Sequence, residues 1–225
     1  MSSFDAILFD KDGTLFDFSA TWSGWAERFL DVLAEGDEAL KVTAAGAIGV
    51  IPGGGFLKDS VAIAGTADEI ADALRSAIPG RSDLKAVVDA VAAETPQVQV
   101  PGLLATLDRL AASHVLGVMT NDSEAPARRH LAGAEIDHHF QMVIGYDSGF
   151  GAKPSPDPLL AFATEVAVEP SRVLMVGDSL HDLHAGRAAG MGTAAVLTGI
   201  AEAAELAPHA DVVLPDIVHL PDWLG

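Results

Sequence analysis

The sequence predicts an α/β protein, a mostly parallel sheet flanked by helices, with an all-helical block inserted after the first strand. Two patterns and one bulk property carry that prediction. Short apolar runs ending at polar or glycine-rich turns recur along the chain and alternate with helical spacing, as parallel strands joined by crossover helices do. Between about Phe16 and Gln97 the alternation stops, and helix-like stretches follow one another with no convincing strand among them. With 225 residues, of which 49% are apolar, the chain can bury a substantial core, and its many alanines suit close helix packing.

The first strand is expected at residues 6–9, AILF, which stops abruptly at Asp10. Helices follow at 21–33, 38–50, 66–78 and 82–93. Thr66 with Glu69 three residues later forms a capping box, and Ser82-Asp83 supplies an N-cap for the last helix. The turn IPGGGF at 51–56 separates two helical pairs and relies on glycine for its backbone freedom. Prolines and a glycine at 96–102 mark the return to the sheet, so the helical block spans 17–96 and the core 1–16 and 97–225. Further strands are expected at 115–119, 142–144, 173–176, 193–197 and 211–214.

Composition narrows the function classes. The formal charge is −19, with 32 carboxylates against 13 Lys and Arg, a field that repels nucleic acid and anionic membrane surfaces. It repels a phosphorylated substrate too, unless a metal ion or local lysines reverse its sign at the site. The absence of cysteine excludes disulfides, thiolate nucleophiles and cysteine metal ligands. Residues 1–10 lack a basic leader and no apolar stretch reaches membrane-spanning length, so the expectation is a soluble, cytoplasmic protein.

Ligands of open parallel sheets bind beyond the carboxyl ends of the strands. Asp10 and Asp12, Thr120 and Asn121, and Asp178 all sit just past such ends, and Lys153 lies in the connection after residues 142–144. Converging carboxylates repel one another unless a cation sits among them, and an oxygen-only donor set favours a hard ion, Mg²⁺ first. A carboxylate beside Mg²⁺ and a phosphate can attack phosphorus, and a second can protonate the leaving oxygen and later deprotonate water. Metal and lysine together stabilise the transferring phosphoryl group.

In order, DKDGT (10–14), the strand ending TN (120–121), KP (153–154) and GDSLHD (177–182) match the four motifs of the haloacid-dehalogenase-like (HAD) hydrolases. The helical block matches the inserted cap of their phosphoglycolate-phosphatase-like branch, and the chain resembles that branch over essentially its whole length. The resemblance implies a Rossmann-like core, the HAD fold, with a helical cap. It implies Asp10 as nucleophile, Asp12 as general acid/base and Lys153 as the lysine orienting nucleophile and phosphate. Thr120 and Asn121 take the phosphate-binding positions. Asp10, the backbone carbonyl of Asp12, Asp178 and Asp182 take the metal-binding ones. Lys11 falls at a variable position and receives no catalytic role, while Thr14 is expected to brace Asp10.

Within the block, Lys58 is the first candidate for a distal group of the substrate, ahead of Arg75 and Arg81. Trp22 and Trp25 are expected to pack the block, with Trp22 near enough to the linker to border the pocket. His181, His184 and the pair His138-His139 read as surface residues. The reading is a Mg²⁺-dependent phosphatase for a small phosphorylated metabolite, phosphoglycolate-like or a sugar phosphate, acting as monomer or homodimer. Asp12 argues against dehalogenase and phosphonatase chemistry. A sugar-phosphate mutase keeps the same residues and stays open, as does a non-catalytic binding protein retaining the fold.

Overall fold

The computed structural model describes residues 4–225. The reading of the N-terminus, and the start of the 1–16 core segment, therefore fall partly on residues 1–3, outside those described. The chain opens with β1 (Ala6–Phe9) and enters the helices α1 (Phe18–Ala34) and α2 (Glu38–Ile48). A short hairpin, β2 (Val50–Ile51) with β3 (Gly55–Phe56), leads to α3 (Val61–Ala64), α4 (Ala67–Arg75) and α5 (Leu84–Ala93). Strands and helices then alternate: α6 (Leu103–Ala111), β4 (Val115–Met119), α7 (Glu124–Gly133), β5 (Phe140–Ile144), α8 (Asp157–Glu165), β6 (Val173–Gly177), α9 (Leu180–Ala188) and β7 (Gly192–Val196). The chain closes with α10 (Ala203–Leu206), β8 (Val212–Leu214) and α11 (Leu220–Leu224).

Six strands form one parallel sheet in the order β5-β4-β1-β6-β7-β8, the α/β architecture the sequence predicted. β1 lies inside it with both faces covered, so all four of its side chains are fully buried. Their alternation sorts them: Ile7 and Phe9 join one hydrophobic cluster, Ala6 and Leu8 the other. Because β1 is fixed from both edges and both faces, the residue after it is placed by the sheet, and the Asp10 N–H still donates to Val176 O at 2.8 Å.

The helices between β1 and α6 close around a hydrophobic cluster of their own, in which Trp25, Phe29, Leu30 and Leu33 of α1 meet Ile48, Ile70, Leu74 and Val88. Two linker passes tie this block to the sheet: Asp17 N donates to Val98 O at 2.8 Å, and Val100 N to Leu15 O at 3.1 Å. Thr21 Oγ1 accepts from Val98 N at 3.1 Å, securing the entry to α1.

Some local expectations are met and others corrected. Thr66 caps α4 in a reciprocal box, its hydroxyl accepting from Glu69 N at 3.2 Å while Glu69 Oε2 accepts from Thr66 N at 2.7 Å. Asp83 precedes α5 but makes no side-chain cap bond, because Arg81 Nε donates to its carboxylate at 2.9 Å. IPGGGF forms the hairpin of β2 and β3 instead of a bare connector, so the block is not purely helical; α3 was likewise not anticipated. Among the described residues no helix is long and apolar enough to cross a membrane.

Candidate active site

The ends of β1, β4 and β6 open on the same side of the sheet, and the loop after β5 reaches over to join them. Asp10, Asp12, Thr120, Asn121, Lys153, Asp178 and Asp182 all line one cavity of about 70 Å³. Its opposite wall belongs to the helical block and is apolar, with Phe18, Trp22, Trp25, Ile63, Ile70 and Val88.

Lys153 ties the floor together. Its Nζ donates to Asp10 Oδ1 at 2.6 Å, to Asp182 Oδ1 at 2.6 Å and to Met119 O at 2.9 Å, which occupies all three of its protons. Burial alone would depress this lysine's pKa, but the two carboxylates outweigh burial and raise it, so it stays charged. The second Asp182 oxygen accepts from Ser179 N at 3.0 Å and Ser179 Oγ at 2.7 Å, capping α9 and fixing the carboxylate. Gly177 makes room for this: a Cβ there would lie 2.3 Å from Asp182 Cβ.

Asp10 is pushed up to about 7, first by burial and then by Asp182 and Asp12, with Lys153 opposing. Asp178 is raised well above the ordinary carboxylate range by burial, with Asp10 and Asp182 adding to it. Oxygens of Asp10, Asp178 and Asp182 come within 4.8 Å of one another. Thr14 Oγ1 lies 3.5 Å from Asp178 Oδ1, so it faces this third carboxylate and not Asp10 as expected. Gly13 (φ 83°) and Gly199 both press against Asp178, where a Cβ would approach its Oδ2 to 2.4 Å and 1.7 Å respectively. Three buried carboxylates share one lysine, all donors are oxygen, and Asp178 has no cation of its own among the described residues. That donor set fits a hard divalent cation.

Thr120 keeps a hydroxyl proton for a ligand, since its oxygen accepts from Asp122 N at 3.1 Å. The Asn121 amide is committed otherwise. Its Nδ2 donates to Ala64 O at 2.8 Å and Lys153 O at 3.0 Å, and its Oδ1 accepts from Lys153 N at 2.9 Å. Asn121 therefore clamps the Lys153 loop to α3 of the helical block. Lys58 is not brought to the cavity: its side chain is 79% exposed, 3.9 Å from Glu202. Arg75 pairs with Asp72 and Arg81 with Asp83, also away from the site. His181 borders the cavity, whereas His184 contacts His209 and His139 pairs with Asp108.

Asp12 has the neighbours that the sequence reading passed over. Lys11, fully buried, donates to Asp12 Oδ1 at 2.6 Å, and its Nζ also lies 3.2 Å from His130 Nδ1 and 3.4 Å from Asp122 Oδ2. Burial would lower the Lys11 pKa, but Asp12 and Asp122 raise it. His130 is held down to about 4, chiefly by burial and then by Lys11. As a neutral ring its Nδ1 accepts from Lys11, while Nε2–H donates to Ala92 O of α5 at 2.8 Å. Trp22 reaches Asp12 from the other side, Nε1 donating to the same Oδ1 at 2.9 Å. The available signal was a lysine flanked by two aspartates directly after a buried strand.

Comparison with known proteins agrees with this geometry. Residues 4–190 match the family model for the haloacid dehalogenase-like hydrolases. The chain is 34% identical to a phosphoglycolate phosphatase of Rhodospirillum rubrum, over 98% of its own length and 90% of the relative's. It is 30% identical to an N-acetylmuramic acid 6-phosphate phosphatase of Pseudomonas aeruginosa, covering 97% and 94% of the two chains. The crystal structure of a predicted phosphoglycolate phosphatase from Haemophilus somnus superposes with a TM-score of 0.76 over the whole of both chains, at 21% identity, a likeness of fold. The chain belongs to the haloacid dehalogenase-like hydrolase family. Within it the chain falls in the phosphoglycolate-phosphatase-like branch and is an enzyme, a phosphoric monoester hydrolase.

Proposed function

We propose that the protein hydrolyses a small phosphate monoester, phosphoglycolate-like or a sugar phosphate, through a phosphoaspartate on Asp10, with the helical block as a cap over the cavity. The observation that carries this is the bridge of Lys153 Nζ to Asp10 and Asp182, 2.6 Å each, in the cavity that also holds Asp12, Thr120 and Asp178. Asp10, Asp178 and the main-chain carbonyl of Asp12 would hold Mg²⁺, with Asp182 behind them. When bound, the ion supplies positive charge that draws a phosphate into an acidic site and stabilises the charge of transfer.

The remaining steps belong to this chain's residues. Lys153 fixes the attacking carboxylate of Asp10 and offsets negative charge beside the phosphoryl group. Thr120 donates its hydroxyl proton to a phosphoryl oxygen. Asp12 delivers a proton to the departing ester oxygen, then takes one from the water that cleaves the phosphoaspartate. The apolar wall limits the access of bulk water. The test is phosphate release across a panel of small phosphorylated metabolites with Mg²⁺, using Asp10→Asn as the blank. Mg²⁺-dependent release absent from that variant supports the proposal. Conversion of a sugar phosphate to its isomer, without release, contradicts hydrolysis in favour of a mutase.

A further inference from the structure

Asp12 is the only one of the four site aspartates that does not pair with Lys153 or lie in the buried carboxylate cluster; it has a separate support. Both of its side-chain hydrogen bonds fall on one oxygen. Lys11 Nζ reaches Oδ1 at 2.6 Å from the core side, and Trp22 Nε1 reaches it at 2.9 Å from α1 of the helical block. Among the described residues Oδ2 accepts no hydrogen bond, and Asp12 lines the cavity. An untethered carboxylate turns about its terminal torsion and offers either oxygen, since that torsion is broad and nearly two-fold. Two donors from opposite elements on the same oxygen remove that freedom.

Lys11 is itself held. Its ammonium is fully buried; besides Asp12 it hydrogen-bonds His130 Nδ1 at 3.2 Å and forms an ion pair with Asp122 Oδ2 at 3.4 Å. It also lies 5.5 Å from the centre of a Trp22 ring and 5.9 Å from that of Phe16. It does not line the cavity, so substrate binding does not account for it. A buried ammonium so surrounded costs desolvation that a surface lysine would not, and its shortest contact is to Asp12.

We propose that Lys11 and Trp22 are positioning residues for Asp12: by holding Oδ1 they present Oδ2 to the ester oxygen. The inference rests on the phosphatase reading above. In the first half-reaction an Asp10 oxygen bonds to phosphorus as the ester P–O bond breaks, and the proton on Asp12 Oδ2 passes to the departing oxygen. In the second, a water oxygen bonds to phosphorus as the Asp10 oxygen–phosphorus bond breaks, and a water proton returns to Oδ2. Because Trp22 belongs to α1 and His130 is bonded to α5 through Ala92, the alignment of Asp12 is complete only with the helical block seated on the core.

The test uses the full chain with Mg²⁺ and a series of substituted phenyl phosphates whose leaving phenols run from acidic (4-nitro) to weakly acidic (4-methoxy). An acidic phenol departs without help, whereas a weakly acidic one needs a well-placed proton. Lys11→Met is expected to lose roughly 10²-fold in kcat on the weakly acidic members, the scale of a misplaced reacting group. Its loss on the 4-nitro ester is several-fold at most, so the dependence of rate on leaving group steepens. Trp22→Phe keeps an aromatic side chain and removes the N–H donor, and shows the same steepening to a smaller extent even if Lys11→Met does not fold. A loss of equal size across the series, or no loss in either variant, overturns the positioning role. Wild-type protein that releases phosphate from no member overturns the phosphatase reading itself.

Discussion

Gly199→Ala isolates the placement of one carboxylate. Gly199 follows β7, and its backbone is not in the left-handed region, so alanine meets no left-handed strain there. A Cβ at this position would lie 1.7 Å from Asp178 Oδ2, 2.4 Å from its Cγ and 2.7 Å from its Cβ. Non-bonded heavy atoms settle near about 3.5 Å, so the carboxylate or the loop must retreat by nearly 2 Å. Metal–ligand distances tolerate only about ±0.2 Å, and a displaced or mis-oriented ligand costs about 10–100-fold in affinity. Mg²⁺ binding by isothermal titration calorimetry, together with the Mg²⁺ dependence of turnover, should therefore weaken by at least tenfold. Gly190→Ala is the control: its φ of 74° penalises alanine by about 1 kcal/mol, yet no atom lies within 4 Å of the added Cβ, and Mg²⁺ binding should not change. Wild-type Mg²⁺ affinity in Gly199→Ala would refute the assignment of Asp178 to the metal.

Two further outcomes follow from the site's electrostatics and walls. In the metal-free protein Asp10 is raised from 3.8 to about 7 and Asp122 to about 6, with burial the largest cause in both, and Asp178 is raised as well. The folded state thus holds these protons more tightly than the unfolded chain, and the stability they contribute below pH 4 is lost as pH rises towards 7. His130, depressed from 6.5 to about 4, acts in the opposite sense but is one group against three. Melting temperatures in chelator should fall between pH 5 and 7, and a rise across that window would contradict burial as the dominant influence on these carboxyl groups. The wall of Trp25, Ile63, Ile70 and Val88 from the helical block carries no charge, and a carboxylate set against it unpaired is costly. Of the two proposed substrate classes, a sugar phosphate, uncharged away from its phosphate, should therefore show a kcat/KM roughly tenfold or more above that of 2-phosphoglycolate; the reverse preference would select the phosphoglycolate-like class and mean that a cation reaches the substrate.

The fold was legible where local pattern and global placement agree. AILF followed by Asp10 marks both a buried strand and its end, and once the strands are parallel their polar ends must share one edge of the sheet. Asp10, Asp12, Thr120, Asn121, Lys153 and Asp178 were recognisable on that ground, Asp182 only through the resemblance of GDSLHD to a family motif, and all seven line one cavity. The Thr66–Glu69 box was legible because both partners lie within one turn. Asp83 misled because Arg81, two residues away, competes for the same carboxylate. Lys58 follows a hairpin that turns the chain outward, and its surface position depends on packing that spacing does not encode. Lys11 was hidden for a related reason. A lysine between aspartates reads as solvated until the fold brings His130, 119 positions on, against its ammonium. The Asn121 amide, read as a phosphate ligand, instead joins Ala64 to Lys153, a contact between segments far apart in the chain.

The central claim is that Asp10 carries the phosphoryl group. The direct measurement is acid quenching during turnover with Mg²⁺ and a hydrolysed monoester, followed by peptide mass spectrometry. The account predicts one phosphoryl group on Asp10 in the wild-type protein and none in Asp10→Asn. Turnover with Asp10 unmodified, or Asp10→Asn releasing phosphate at the wild-type rate, would contradict it.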